Sequence, residues 1–514
     1  MDNQALHTQH KLLSAGYTNI SAPIQKLPTE ILSMIFKFST EGHTIHEVLV
    51  LSQVCSDWRH LLLTSPLLWL TVPLLIDSIA STSHGARPLL DLFLERTGGH
   101  AFSVFLDLDG LRADSTTFSF GRTSSRWREL IVDSAFDWNA MEFCFPGVGQ
   151  SLPALEELSL RVDLGSAHIG DMAFALKTFN NCPRLRKMDL RIYGGERRLG
   201  LEWHNEPRTV IHFPWHQLTS LSLLIGNSFA PANVLDILRR CSQLKELTLK
   251  LLEDNSEAAK DEWRLLAKSP DEMVTFPDLT KLKLSYSDNV LLAIRCPVLE
   301  ELAVLCPSSS SSSSNSNSGL SLPMTTFLEV SKPPLRTLRL EVTESMPRLS
   351  LGPRPLRHLI LRFSHPSIVE DFVNKHGENI RLATSPSLSP LPLGPDGSWI
   401  HTKELTLEMH ATIDEVFDDT TGWGDAVLGM ISMYHSSSAS TSASTSASKP
   451  PKEEEKFQLK KLTLIAFKSY LGSTKNHPPS KAIRSTPLYT ALDRVRERLQ
   501  VTVIACEYTD IGSQ

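Results

Sequence analysis

From Trp127 onward one pattern recurs, and it restricts the fold more than any other feature: apolar-x-x-apolar-x-apolar. It reads Trp127, Leu130, Val132; Leu155, Leu158, Leu160; Leu185, Met188, Leu190; Leu218, Leu221, Leu223; and Leu244, Leu247, Leu249. Further copies are Leu279, Leu282, Leu284; Leu299, Leu302, Val304; Leu335, Leu338, Leu340; and Leu356, Leu359, Leu361. Two looser copies follow, Leu405 with Leu407, and Leu459, Leu462, Leu464. Successive starts from Trp127 to Leu356 lie 28, 30, 33, 26, 35, 20, 36 and 21 residues apart. A repeat of that period is the signature of a solenoid. The last two apolar residues of each copy stand two apart, so both face one side of a strand. One copy cannot bury that face alone; stacked copies form a parallel sheet with a leucine ladder inside. Residues 232–240 have helical periodicity and end just before Cys241, as a return segment should.

The repeats resemble leucine-rich repeats, with departures. The asparagine that usually follows the leucine-rich strand is missing: three after Leu160 is Asp163, and three after Leu190 is Tyr193. Irregular spacing therefore predicts a distorted solenoid with insertions. A serine-asparagine tract at 308–318 and a Ser/Thr/Ala tract at 436–449 offer nothing to bury against the entropy of ordering. Residues 364–400 read as a longer excursion. Residues 489–499 read as a helix and 501–504 as a strand, a final unit closing the array.

The second constraint lies at residues 24–69, which read as two short helices with more apolar surface than they can bury against each other. Pro28 suits a first helical position, because its missing N–H would have no partner there. Ile31, Leu32, Met34, Ile35, Phe36 and Phe38 cover most of a helical circumference, too much for one buried stripe. Thr44 and Glu47 have capping-box spacing, which starts the next helix near Ile45. Leu51, Val54, Cys55, Trp58, Leu61 and Leu62 then form one face, and Ser65-Pro66 closes it.

This stretch resembles an F-box. Leu27-Pro28-x-Glu30-Ile31-Leu32-x-x-Ile35-Phe36 matches its opening, and Val54-Cys55-x-x-Trp58-Arg59-x-Leu61 matches its later helix. The Pro66-Leu67-Leu68-Trp69 tail is how many fungal F-box-like proteins continue. The resemblance implies docking to the Skp-type adaptor of cullin-RING ubiquitin ligases. Leu27, Pro28, Ile31, Leu32, Ile35, Val54 and Trp58 are the implied adaptor-binding residues. Repeats beyond it would hold a target protein, either for ubiquitination or, alternatively, as a stable scaffold partner.

The expected fold class is α/β: a small N-terminal helical F-box followed by an irregular leucine-rich-repeat-like solenoid with a parallel β-sheet. The expected boundaries are a tail at 1–22, the F-box at 23–70, and a connecting segment with the first units at 71–125. The repeat domain follows at 126–505, with insertions at 307–319 and 435–456, and a tail at 506–514. Residues 88–96 read as a helix and 103–108 as a strand. Val48, Leu49, Val50 and residues 67–76 are expected to face the repeats.

Composition narrows the function. The net charge of −6 lacks the basic footprint of a phosphate-binding protein, so no nucleic-acid partner is expected. The first twenty residues lack a continuous apolar core of a signal peptide, and the apolar run at 67–76 is too short for a bilayer. The expected location is therefore cytoplasmic, nuclear or both, with no membrane partner. Seven scattered cysteines without a CxxC pair argue against a disulfide framework and zinc. Cys182, Cys241 and Cys296 each precede a leucine by three residues, the mark of a buried repeat position.

Asp107-x-Asp109-Gly110 begins like a calcium loop, but Leu111 and Phe118 stand where ligands are needed. No nucleotide-binding, zinc-protease, serine-hydrolase or kinase motif is present, so no catalytic residue, metal or cofactor is expected and the chain reads as non-catalytic. The outward positions carry mixed charges: Glu157, Ser159, Arg161; Lys187, Asp189, Arg191; Glu246, Thr248, Lys250; Lys281, Lys283. Thr337, Arg339, Glu341, His358, Arg362, Glu404, Thr406 and Glu408 complete the set. They are expected to form a solvated or protein-binding face.

Overall fold

The computed structural model describes residues 23–40, 45–70, 74–76, 86–106, 122–132, 152–163, 178–193, 213–226, 231–251, 263, 265–266, 273–285, 289–305, 321–342, 356–363, 402–409, 461–468 and 500–507. Two compact units emerge. One comprises residues 1–185 with 204–214, the other 186–203 with 215–514.

In the first unit, α1 spans Thr29–Thr40, α2 Ile45–Ser52, α3 Ser56–Thr64 and α4 Pro66–Trp69. Pro28 stands just ahead of α1, not inside it: its carbonyl accepts the first helical bond from Leu32 N–H at 3.0 Å. The single second helix expected from the apolar spacing is instead two helices, α2 and α3, and the reason is local. Gln53 and Val54 N–H bond back only three residues, to Val50 and Leu51, which tightens and ends α2. Cys55 is extended and its sulfur accepts from Trp58 N–H at 3.5 Å, capping α3. Ser65 ends α3, and Pro66 opens α4 at the position where a missing N–H costs nothing. Thr44 lies outside the described residues.

Helix α5 (Ala86–Arg96) is followed by strand β2 (Phe102–Leu106); β1 is Leu74–Ile76. With β3 (Trp127–Val132) and β4 (Glu157–Asp163) they form parallel neighbours in chain order. Side chains join the helices to these strands. The Trp69 indole donates to the Leu62 carbonyl at 2.8 Å and meets Phe93 edge-on, and Phe93 meets Phe102 in turn. Arg96 donates to the Leu63 carbonyl at 3.2 Å, tying α5 to α3. Val48, Leu68 and Trp69 are buried, whereas Val50 and Leu67 are exposed, so the expectation that they face the repeats fails for those two.

The second unit repeats one motif. Strands β5 (Lys187–Tyr193), β6 (Ser220–Ile225) and β7 (Glu246–Leu251) are parallel and adjacent, followed across the sheet by β9 (Lys281–Ser285) and β11 (Glu301–Leu305). Next come β12 (Thr337–Val342), β13 (Leu356–Phe363), β14 (Thr402–Met409), β15 (Lys461–Lys468) and β16 (Gln500–Glu507). The register stacks like positions: Leu221 on Leu247, Leu247 on Leu282, Leu282 on Leu302, Leu302 on Leu338 and Leu338 on Leu359. All six are buried, so the leucine ladder read from the sequence is real. Fully burying one such side chain is worth about 1.5–3 kcal/mol.

Strand starts are held by a backbone stack. Carbonyls of Arg186, Thr219, Lys245, Thr280, Glu300 and Arg336 each accept two consecutive N–H groups from the next repeat. At this edge of the sheet the main chain satisfies its own strand-entry groups. The return side carries α6 (Pro231–Arg240), α7 (Ser321–Ser331) and a separate parallel pair, β8 (Val274–Thr275) with β10 (Ile294–Arg295). Helix α6 matches the expected return helix. Helix α7 was not foreseen; it buries Met324 and Phe327, and its Ser331 hydroxyl accepts from Cys296 N–H at 3.1 Å. Cys182, Cys241 and Cys296 are buried free thiols, as their repeat positions imply. Burial pushes Cys182 and Cys241 up to about 12, opposed in Cys241 by neighbouring Arg240, and raises Cys296 as well. The acidic turn at 107–110, the low-complexity tracts, residues 364–400 and the helix at 489–499 lie outside the described residues.

Candidate functional site

Helix α1 has two faces, both apolar. Leu32, Phe36 and Thr40, at i, i+4 and i+8, are buried. Thr40 returns its hydroxyl to the Phe36 carbonyl at 2.8 Å, which lets a polar residue end the buried stripe. Ile31, Met34, Ile35 and Phe38, at i, i+3, i+4 and i+7, form a second stripe, and all are exposed. Phe38 is 74% exposed, an unusual setting for so large an apolar side chain. Surplus apolar residues in this helix are thus displayed as one face, not scattered.

The flanking elements add to the display. Val54, in the turn between α2 and α3, is 59% exposed, and Leu67 in α4 is 69% exposed. Trp58 is half-buried and leans its ring edge-on against Phe36, with centroids 4.7 Å apart. Arg59 donates to the Ser52 carbonyl at 3.0 Å, which fixes the bend between α2 and α3.

The sequence-derived residues therefore separate. Pro28, Ile31, Ile35 and Val54 are exposed; Leu27 and Trp58 are half-buried. Leu32, at 9% exposure, belongs to the inward stripe and supports the surface from beneath. Met34, Phe38, Val50 and Leu67 are exposed apolar residues missing from the sequence-derived set. Helical spacing alone could have found Met34 and Phe38, since they continue the Ile31–Ile35 stripe.

The open face of the second unit's sheet is not uniformly solvated, contrary to the expectation for it. Thr406 and Glu408 are buried. Glu408 pairs with Arg339, and Thr406 hydrogen-bonds His358 Nε2 at 2.7 Å. Elsewhere on that face Lys281 meets Glu246 at 2.8 Å and Arg191 meets Asp189 at 3.0 Å. The Lys281–Glu246 pair is exposed and screened by solvent, and contributes too little to set the fold.

In comparisons with known proteins, the F-box-like family matches residues 24–72 of the 514. A comparison with curated proteins returns no match. The chain carries an F-box-like domain, and the displayed stripe of α1 lies within it. A domain of this class can bind a Skp-type adaptor. Among the described residues no helix is long and apolar enough to cross a membrane.

Proposed function

We propose that this chain is the target-recognition subunit of a cullin-RING ubiquitin ligase. It docks the Skp-type adaptor through α1 and its neighbours and holds a target protein on a leucine-rich-repeat-like second unit. The carrying observation is the exposed stripe Ile31–Met34–Ile35–Phe38 within an F-box-like domain. An apolar face of that kind is costly to leave in water and is best explained by a partner that covers it. The chain performs no covalent chemistry in this reading. It raises the effective concentration of target lysines near the charged conjugating enzyme, in the cytoplasm or nucleus.

Changing Leu27→Ala together with Pro28→Ala tests the adaptor contact. Adaptor co-purification is lost while circular dichroism stays unchanged; retained binding contradicts the proposal. Partner half-life with and without that double change then separates a degraded target, whose half-life lengthens, from a stable scaffold partner, whose half-life does not move.

A further inference from the structure

We draw no further inference here: the strongest candidate, the apolar patch on the open face of the first unit's sheet where half-buried Phe105 of β2 stands beside half-buried Ile131 of β3, carries nothing because nothing in the structure shows what covers it.

Discussion

Trp58 meets Phe36 edge to face, their ring centroids 4.7 Å apart and their planes at 65°. This contact joins α1 to α3 on the buried side of α1, where Leu32 and Thr40 are also covered. Phe36 is 1% exposed, whereas Phe38, two residues on, points to solvent. The display of Ile31, Met34, Ile35 and Phe38 depends on that anchor. Phe36→Ala should cost about 3–5 kcal/mol. Native-state hydrogen exchange of α1 and α3 amides measures it: protection falls in both helices together, while the second unit's strands keep theirs.

Replacing the displayed residues should act differently. Met34→Glu with Phe38→Glu removes no buried contact, so thermal stability stays within about 0.5 kcal/mol of the parent. Binding to the adaptor drops by at least tenfold, as it would for two apolar anchors at an interface centre. Calorimetry and adaptor titration on the same sample separate the two effects.

The leucine ladder sets a third expectation. Leu338 is fully buried, with Leu302 and Leu359 as its register partners on either side. Leu338→Ala should cost about 2–5 kcal/mol, more than any single exposed ion pair on the open face contributes. Thermal unfolding followed by far-ultraviolet circular dichroism reads this as a lowered midpoint, and Lys281→Ala barely moves it.

Thiol chemistry checks the return side. Cys182, Cys241 and Cys296 are buried, and burial holds their thiols protonated far above neutral pH. Iodoacetamide at pH 8 should leave all three unmodified in the native chain and modify them in denaturant, as peptide mass mapping shows. Cys55, only half-buried, should react first among these four.

Lys283 gives a pH dependence. Its folded-state value lies below the ordinary 10.5, so the folded chain binds this proton less firmly than the unfolded chain. The charge therefore opposes folding at neutral pH, and the penalty fades as pH rises toward the ordinary value. Lys283→Met should stabilise the second unit at pH 7 by roughly 0.5 kcal/mol or less, discounted for solvent screening. That gain should shrink as pH approaches 10.5. Denaturant midpoints at pH 7 and pH 10 measure it.

Most of the sheet was legible because strand period and burial coincide. Two apolar residues at i and i+2 leave one register in which both are covered, and each copy from Leu158 to Leu361 obeys it. The break at residues 53–55 was not legible, since Val54 and Cys55 fit the apolar spacing of an unbroken helix. A sulfur cap and two three-residue backbone bonds decide it, and neither has a periodic trace. Helix α7 was missed because its inward face is only Met324 and Phe327, too short a pattern beside a serine tract. Within the candidate site, the surplus of apolar residues in α1 was visible from the sequence. Which of them face outward was not, because that depends on Trp58 meeting Phe36. The burial of Thr406 and Glu408 likewise depends on partners 48 and 69 residues away.

The central claim is that the outward stripe of α1 is an adaptor-docking surface. Size-exclusion chromatography with light scattering, using purified Skp-type adaptor, tests it most directly on the parent chain and on Ile31→Glu with Ile35→Glu. The account predicts a one-to-one complex for the parent and separate peaks for the folded double variant. A double variant that elutes with the adaptor as the parent does would contradict it.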